Sequence, residues 1–211
     1  MTFLQVSNNI ERGGTIMKLS TTVFLTFIIF SLMGCTIGLN MSPPAKLDMA
    51  GIQQHPSKAG LLLSKELKEN VYVKQTSPFD SISYPLGEQT AQIFQKNLPL
   101  VFSKVVEIQS RNDIQDVDLI VEPSIVNFSS VIPMPAYNPY TAKIVYRVDI
   151  YNKKNEKIFT QTVAGDAQSS KGLMSGFSAR NIAADVAQKA MENAIKQILE
   201  GLSAAEELKK F

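Results

Sequence analysis

From about residue 61 onward the apolar positions keep one of two rhythms, and each rhythm predicts an element. Leu86, Thr90, Ile93, Phe94, Leu98, Val101 and Phe102 recur at steps of three and four, the spacing of one helix face. Pro85-Leu86-Gly87 opens that helix. Pro99 must kink or end it, because proline lacks the N–H of the ladder and clashes with the preceding turn. A broader stripe closes the chain: Ile182, Ala183, Val186, Ala187, Ala190, Met191, Ala194, Ile195, Ile198, Leu199 and Leu202. Asp185, Lys189, Glu192, Lys196 and Glu200 fall mostly on the other side, and Ser178 supplies a cap. The many alanines let this helix lie close to a sheet. Beyond Gly201 the tail ending Glu206-Glu207-Leu208-Lys209-Lys210-Phe211 is expected to fray.

Between the helices the period shortens to two. Ile144, Tyr146, Val148 and Ile150 alternate with Lys143, Val145, Arg147 and Asp149, as in a strand covered on one face. Asn152 to Glu156 is a polar turn, and Lys157 to about Ala167 returns as a strand, which makes a hairpin. Asp118 to Glu122 continues to Ile125 and Phe128 as another strand, and Val105 to Ile108 is a short one. Leu61 to Leu63 and Val71 to Val73 predict one or two more, and Ser77 to Asp80 is a loop. The predicted class is α/β in its α+β form: a two-layer sandwich of a mostly antiparallel sheet with two main helices on one face, over residues 61–205. There is no internal repeat.

The amino-terminal part follows neither rhythm. Met17-Lys18 gives a charged start, and Val23 to Met33 is an apolar run of about a dozen residues. A membrane-spanning helix needs roughly 20. A charged start, a short apolar core and then small residues form a signal peptide, here residues 17–34. Leu32-Met33-Gly34-Cys35 resembles the lipobox of bacterial lipoproteins. That resemblance implies a diacylglycerol on the Cys35 thiol, cleavage between Gly34 and Cys35, and acylation of the new amino terminus. Residues 1–16 stand before a complete signal, and Glu11-Arg12-Gly13-Gly14 can encode a ribosome-binding site upstream of Met17. Translation is therefore expected to start at Met17, with residues 1–16 an extension in name only. Residues 35–60, with Ser42-Pro43-Pro44 and Gln53-Gln54-His55-Pro56, read as a lipidated cysteine and a flexible tether. Leu47, Met49 and Ile52 are the tether residues able to dock on the domain.

Composition narrows the chemistry. Without Arg12, Lys18 and Glu11, the 21 basic and 19 acidic residues of the chain become 19 and 18, so no charge excess points to nucleic acid. Cys35 is the sole cysteine, so no disulfide forms within the chain and the fold rests on its core. His55 is the sole histidine and sits in a polar stretch, where it is expected to be solvated. With one His and one Cys, neither a zinc site nor a nucleophile–histidine pair is expected. Asp113, Asp116 and Asp118 lack the glycine and distal glutamate of a calcium loop. Ser169-Ser170-Lys171-Gly172 lacks the framing glycines of a phosphate loop. No cofactor, metal or catalytic residue is expected.

Two apolar connections remain as candidate partner contacts. Ser130 to Tyr140 joins two strands through three prolines and presents Ile132, Met134, Tyr137 and Tyr140. Its length exceeds that of a usual hairpin loop, and prolines lower the entropy lost on docking. Gly172 to Phe177 places Leu173, Met174 and Phe177 between glycines just ahead of the last helix. Each connection has two readings: a surface for a partner, or a cover folded onto the domain's own core.

The order of elements, with Asp118-Leu119-Ile120-Val121-Glu122-Pro123-Ser124-Ile125 followed by Tyr146-Arg147-Val148-Asp149-Ile150-Tyr151, resembles the YajG-type envelope lipoproteins. Their broader relatives are the curli-secretion lipoprotein CsgG, the penicillin-binding-protein activator LpoB and the TolB amino-terminal domain. The resemblance spans about residues 60–202 as a pattern of strands and helices, with no signature residue. It implies an α/β sandwich in the periplasm that acts by binding proteins. Thr36, in place of an aspartate after the cysteine, implies sorting to the outer membrane. The expected function is an outer-membrane-anchored, periplasm-facing, non-enzymatic protein-binding or envelope-assembly module. Its partners would be the membrane, through lipid on Cys35, and an envelope protein or a second copy of the chain. The competing expectations are a subunit of a curli-like secretion pore and a cell-wall-acting enzyme.

Overall fold

A computed structural model describes residues 35–78, 80–113, 116–133, 139–169 and 178–211. Residues 1–34, which include the expected signal peptide, lie outside the described residues. The strands are β1 (Cys35–Gly38), β2 (His55–Leu62), β3 (Tyr72–Gln75), β4 (Asp80–Tyr84), β5 (Phe102–Ile108), β6 (Leu119–Val131), β7 (Tyr140–Asn152) and β8 (Lys157–Ser169). The helices are α1 (Lys65–Lys68), α2 (Leu86–Asn97) and α3 (Ala179–Ala204), with single 3-10 turns at Leu98–Leu100 and Glu206–Lys210. Five strands form one sheet in the order β5-β2-β6-β7-β8, and three form a smaller sheet in the order β1-β4-β3. The long β6-β7-β8 meander is antiparallel, and β2 is parallel to both its neighbours. The mixed α+β class expected from the two rhythms is the observed one.

Both main helices lie on one face of the large sheet. Tyr140, Ala142, Ile144, Tyr146, Val148 and Ile150 all point to that face and are buried. Helix α2 reaches it through Phe94, whose ring meets Tyr146 edge-on at 6.0 Å, and through Thr90, whose hydroxyl hydrogen-bonds the Tyr146 hydroxyl at 2.8 Å. Every residue predicted for the buried face of α2 and its continuation is buried: Leu86, Thr90, Ile93, Phe94, Leu98, Val101 and Phe102. Pro99 ends the helix by turning it into the 3-10 segment. Helix α3 is capped by the Ser178 hydroxyl, which accepts from the Asn181 N–H, and its predicted stripe is buried from Ile182 to Leu202.

Three expectations need correction. Residues 35–60 are no free tether. Cys35 to Gly38 pair with Asp80 to Ser83 as β1, Leu39 and Met41 enter the core, and β2 already begins at His55. Between them residues 39–54 form a strap across the helices. The Leu47 N–H donates to the Asn97 side chain at 2.8 Å, and Gln53 exchanges hydrogen bonds with the Ser203 hydroxyl at 3.0 and 2.8 Å. Leu47, Met49 and Ile52 dock on the core, as their spacing allowed. His55, expected in solvent, is 3% exposed, and its Nε2 lies 2.9 Å from the Leu202 carbonyl. The tail after α3 is held by Leu208, which is fully buried. In each case the contact is made with an element far away in sequence, and no local period announces that.

Candidate partner-contact end

Helix α3 has 26 residues, so it is roughly 39 Å long and runs from one end of the sheet towards the other. The two apolar connections leave from the same end. Strand β6 finishes there at Val131, β7 starts at Tyr140, β8 finishes at Ser169, and the α3 cap is Ser178. Thr141 pairs with Val131 on one side, and Tyr140 pairs with Ser169 on the other, so the roots are adjacent. The small sheet packs at this end too. Tyr84 of β4 and Tyr72 at the start of β3 stand 5.1 and 4.9 Å from the Phe128 ring, three residues before the end of β6. Asn40 and Ser42, just past β1, share a cleft of about 420 Å³ with Ser169, Asn181 and Lys189.

The predicted contact residues separate on inspection. Cys35 is the first residue of β1, paired with Asp80. Ile132 is half-buried against the core. Tyr140 is 2% exposed and belongs to the core, so its ring is not presented to a partner. It starts β7 in phase with Ala142 and Ile144, and that phase decides its direction. Gly34, Met134, Tyr137, Leu173, Met174 and Phe177 lie outside the described residues. The exposed large apolar side chains among the described residues are Val71, Val73, Val126, Val131 and Phe211. The first four were not named as contact residues from the sequence, Val71 and Val73 being read as part of a strand. Val126 is the extra residue of a bulge between Ile125 and Asn127, which pushes it out of the ladder. Val131 then falls on the outer face, where the pairing phase of β6 with β7 could have revealed it.

On the outer face of the large sheet several polar groups are paired with one another. Asp149, 6% exposed, is contacted by Lys157 at 3.0 Å, by Arg147 at 3.5 Å and by the Thr160 hydroxyl. Burial pushes its carboxyl up, but the Thr160, Lys157 and Arg147 donors outweigh that and leave it below the ordinary range. A small second core of Leu62, Ile108, Ile120 and Tyr151 lies on this side. The Arg111 guanidinium sits 3.9 Å above the Tyr151 ring and pairs with Glu122 at 2.5 Å. Asp113 and Asp118 serve the chain itself. Asp113 accepts from the Ser110 N–H, and Asp118 accepts from the Lys58 N–H and pairs with Lys153 at 3.0 Å. The Lys58 amide first, and Lys153 after it, lower the Asp118 carboxyl. Among the described residues no cluster of His, Cys, Asp and Glu could hold a metal. The other end of the domain is charged, with Lys153, Lys154 and Lys210 around a cavity of about 350 Å³ next to Phe211.

No protein-family model matches the chain, and no curated protein matches it in sequence. Among solved structures it is similar to a Xanthomonas campestris protein of the DUF330 family, with 11% identity over 81% of this chain and 93% of that one and a TM-score of 0.47. It is also similar to a minor lipoprotein from Acinetobacter baumannii, with 11% identity over 72% of this chain and 94% of that one and a TM-score of 0.42. Both likenesses are distant, and neither assigns this chain a family or a role.

Proposed function

We propose that the protein is a lipoprotein of the bacterial envelope, anchored by lipid on Cys35, and that its domain works by binding other envelope proteins. The observation that carries the anchor is the ordered run from Met17-Lys18 through the short apolar core to Gly34-Cys35. Among the described residues no helix is long and apolar enough to cross a membrane, so a lipid would be the attachment that this reading needs. The pattern resemblance to YajG-type lipoproteins and Thr36 after the cysteine support the outer membrane as the site, with the domain facing the periplasm.

Three of the buried polar side chains are held by structural partners, which supports binding over catalysis at those positions. Tyr146 is tied to Thr90, His55 to the Leu202 carbonyl, and Asp149 to its two cations. The pore alternative asks strands of about ten residues to face lipid. Strands β6, β7 and β8 have 13 residues each, but the inner face of this meander is already committed to α2 and α3. In vivo crosslinking in the envelope tests the binding reading: one recurrent protein partner supports it, and only scattered neighbours from several positions count against it. For the anchor, Cys35→Ser should leave an uncut precursor. A Cys35→Ser chain still cleaved before residue 35 and still in the membrane fraction would sink that part. In an enteric host Thr36→Asp should move the protein from outer- to inner-membrane fractions on a density gradient.

A further inference from the structure

Two buried polar side chains, one on each main helix, bond the main chain of the strap. Asn97 of α2 is fully buried; its Oδ1 accepts from the Leu47 N–H at 2.8 Å, and its Nδ2 reaches the Ala45 carbonyl at 3.5 Å. Ser203 of α3 is buried as well; its hydroxyl accepts from the Gln53 N–H at 3.0 Å and donates to the Gln53 carbonyl at 2.8 Å. Lys96 adds a bond to the Pro44 carbonyl at 2.7 Å. These groups meet an amide and a carbonyl, which every peptide carries, so the groove recognises an extended backbone and not one sequence. The strap fills it loosely. Of residues 42–53, Pro44 is buried, Leu47, Met49 and Ile52 are half-buried, and the rest are exposed. Among the described residues, their main chain is bonded to the rest of the domain through the side chains of the two helices alone. The ends are fixed: Met41 lies in the core, and His55 bonds the Leu202 carbonyl. Gly51, at φ +81°, turns in open space. A cleft of about 630 Å³ separates Asp48 to Gln53 from Lys196, Glu200 and Lys209. A segment with so few buried contacts opens well before the domain unfolds. Residues 42–53 can therefore lift as a loop between two fixed ends, and Asn97 and Ser203 then need another backbone or water.

We propose that the groove of Asn97 and Ser203 is the docking site for an extended segment of another envelope protein, and that residues 42–53 are its resident, displaceable cover. The segment that fits has apolar side chains at the steps of two and three shown by Leu47, Met49 and Ile52. The inference rests on the reading that the domain binds proteins, and it says where. A fluorescent peptide with the sequence Ser42 to Gln54 is the probe, titrated into the full chain and followed by anisotropy. Leu47→Ser with Met49→Ser loosens the cover and spares the groove, so it should bind the peptide several-fold more tightly than wild type. Adding Ser203→Ala should weaken that binding several-fold with the circular dichroism spectrum unchanged. Equal affinity in all three chains, or no binding by the loosened one, overturns the proposal. Hydrogen exchange on wild type tests the lifting itself. The Leu47 amide should exchange far faster than the Ile144 amide of β7; exchange of both only through global unfolding overturns it. In cells, a photo-crosslinker at Lys196 should capture the recurrent partner. A partner captured only from other faces overturns the groove and leaves the binding reading standing, and no recurrent partner from any position overturns both.

Discussion

Gly165→Ala should loosen the contact between the long helix and the sheet. Gly165 lies in β8 on the inner face, opposite Ile144. A Cβ there would stand 2.2 Å from the Ala190 carbonyl oxygen, 2.5 Å from the Ala194 amide nitrogen and 2.7 Å from the Ala194 Cβ. These are atoms of a 26-residue helix and cannot rotate aside, so α3 must retreat by about 1 Å to restore van der Waals contact. Overpacking of this kind costs roughly 1–3 kcal/mol. The retreat also thins the contacts of Ala187, Ala190 and Ala194, so about 3 kcal/mol is expected. For a domain of this size that lowers Tm by roughly 6–12 °C. Gly201→Ala is the control. The three atoms nearest to a Cβ there all belong to the Gln161 side-chain amide, which can swing away, and alanine favours a helix interior by up to about 1 kcal/mol. Thermal melts followed by circular dichroism should show a clear fall for the first variant and no fall for the second. Equal melting of Gly165→Ala and wild type would refute the close approach of α3 to β8.

Further outcomes follow from the same packing. Val186→Asp places a carboxylate at a position 1% exposed, costs several kcal/mol or forces protonation, and should abolish soluble yield; Lys189→Asp, on the exposed side, should lose only a few tenths of a kcal/mol beside Asp185. A lowered folded-state pKa at Asp149 contributes stability that is complete above the unfolded carboxylate value of about 4 and is lost as pH falls through the folded value. Wild type should thus weaken steadily on acidification below about pH 4, and Asp149→Asn should be weaker at neutral pH with a flatter acid limb in urea titrations. Leu208→Ala empties a fully buried site and should cost about 2–5 kcal/mol by the same titrations, whereas a frayed tail would show no change.

The elements with strong periods were legible in the sequence. The α2 face, the α3 stripe and the β7–β8 hairpin all follow from steps of three to four or of two, because burial on one side imposes those steps whatever the partner is. The strap was not legible. Its buried residues, Leu39, Met41 and Pro44, are spaced by the groove they cross, and its backbone groups are satisfied by Asn97 and Ser203, far away in sequence. His55 looked solvated because its neighbours are polar, but β2 carries it under Leu202. Tyr140 looked like part of a loop because prolines precede it, yet it keeps the inward phase of Ala142 and Ile144.

Mass spectrometry of the protein extracted from envelopes bears most directly on the anchor. The account predicts an amino-terminal peptide that begins at Cys35 and carries a diacylglycerol on sulfur with an acyl chain on the new amino group. A mature chain that retains residues before Cys35, or that bears a free thiol there, would contradict it.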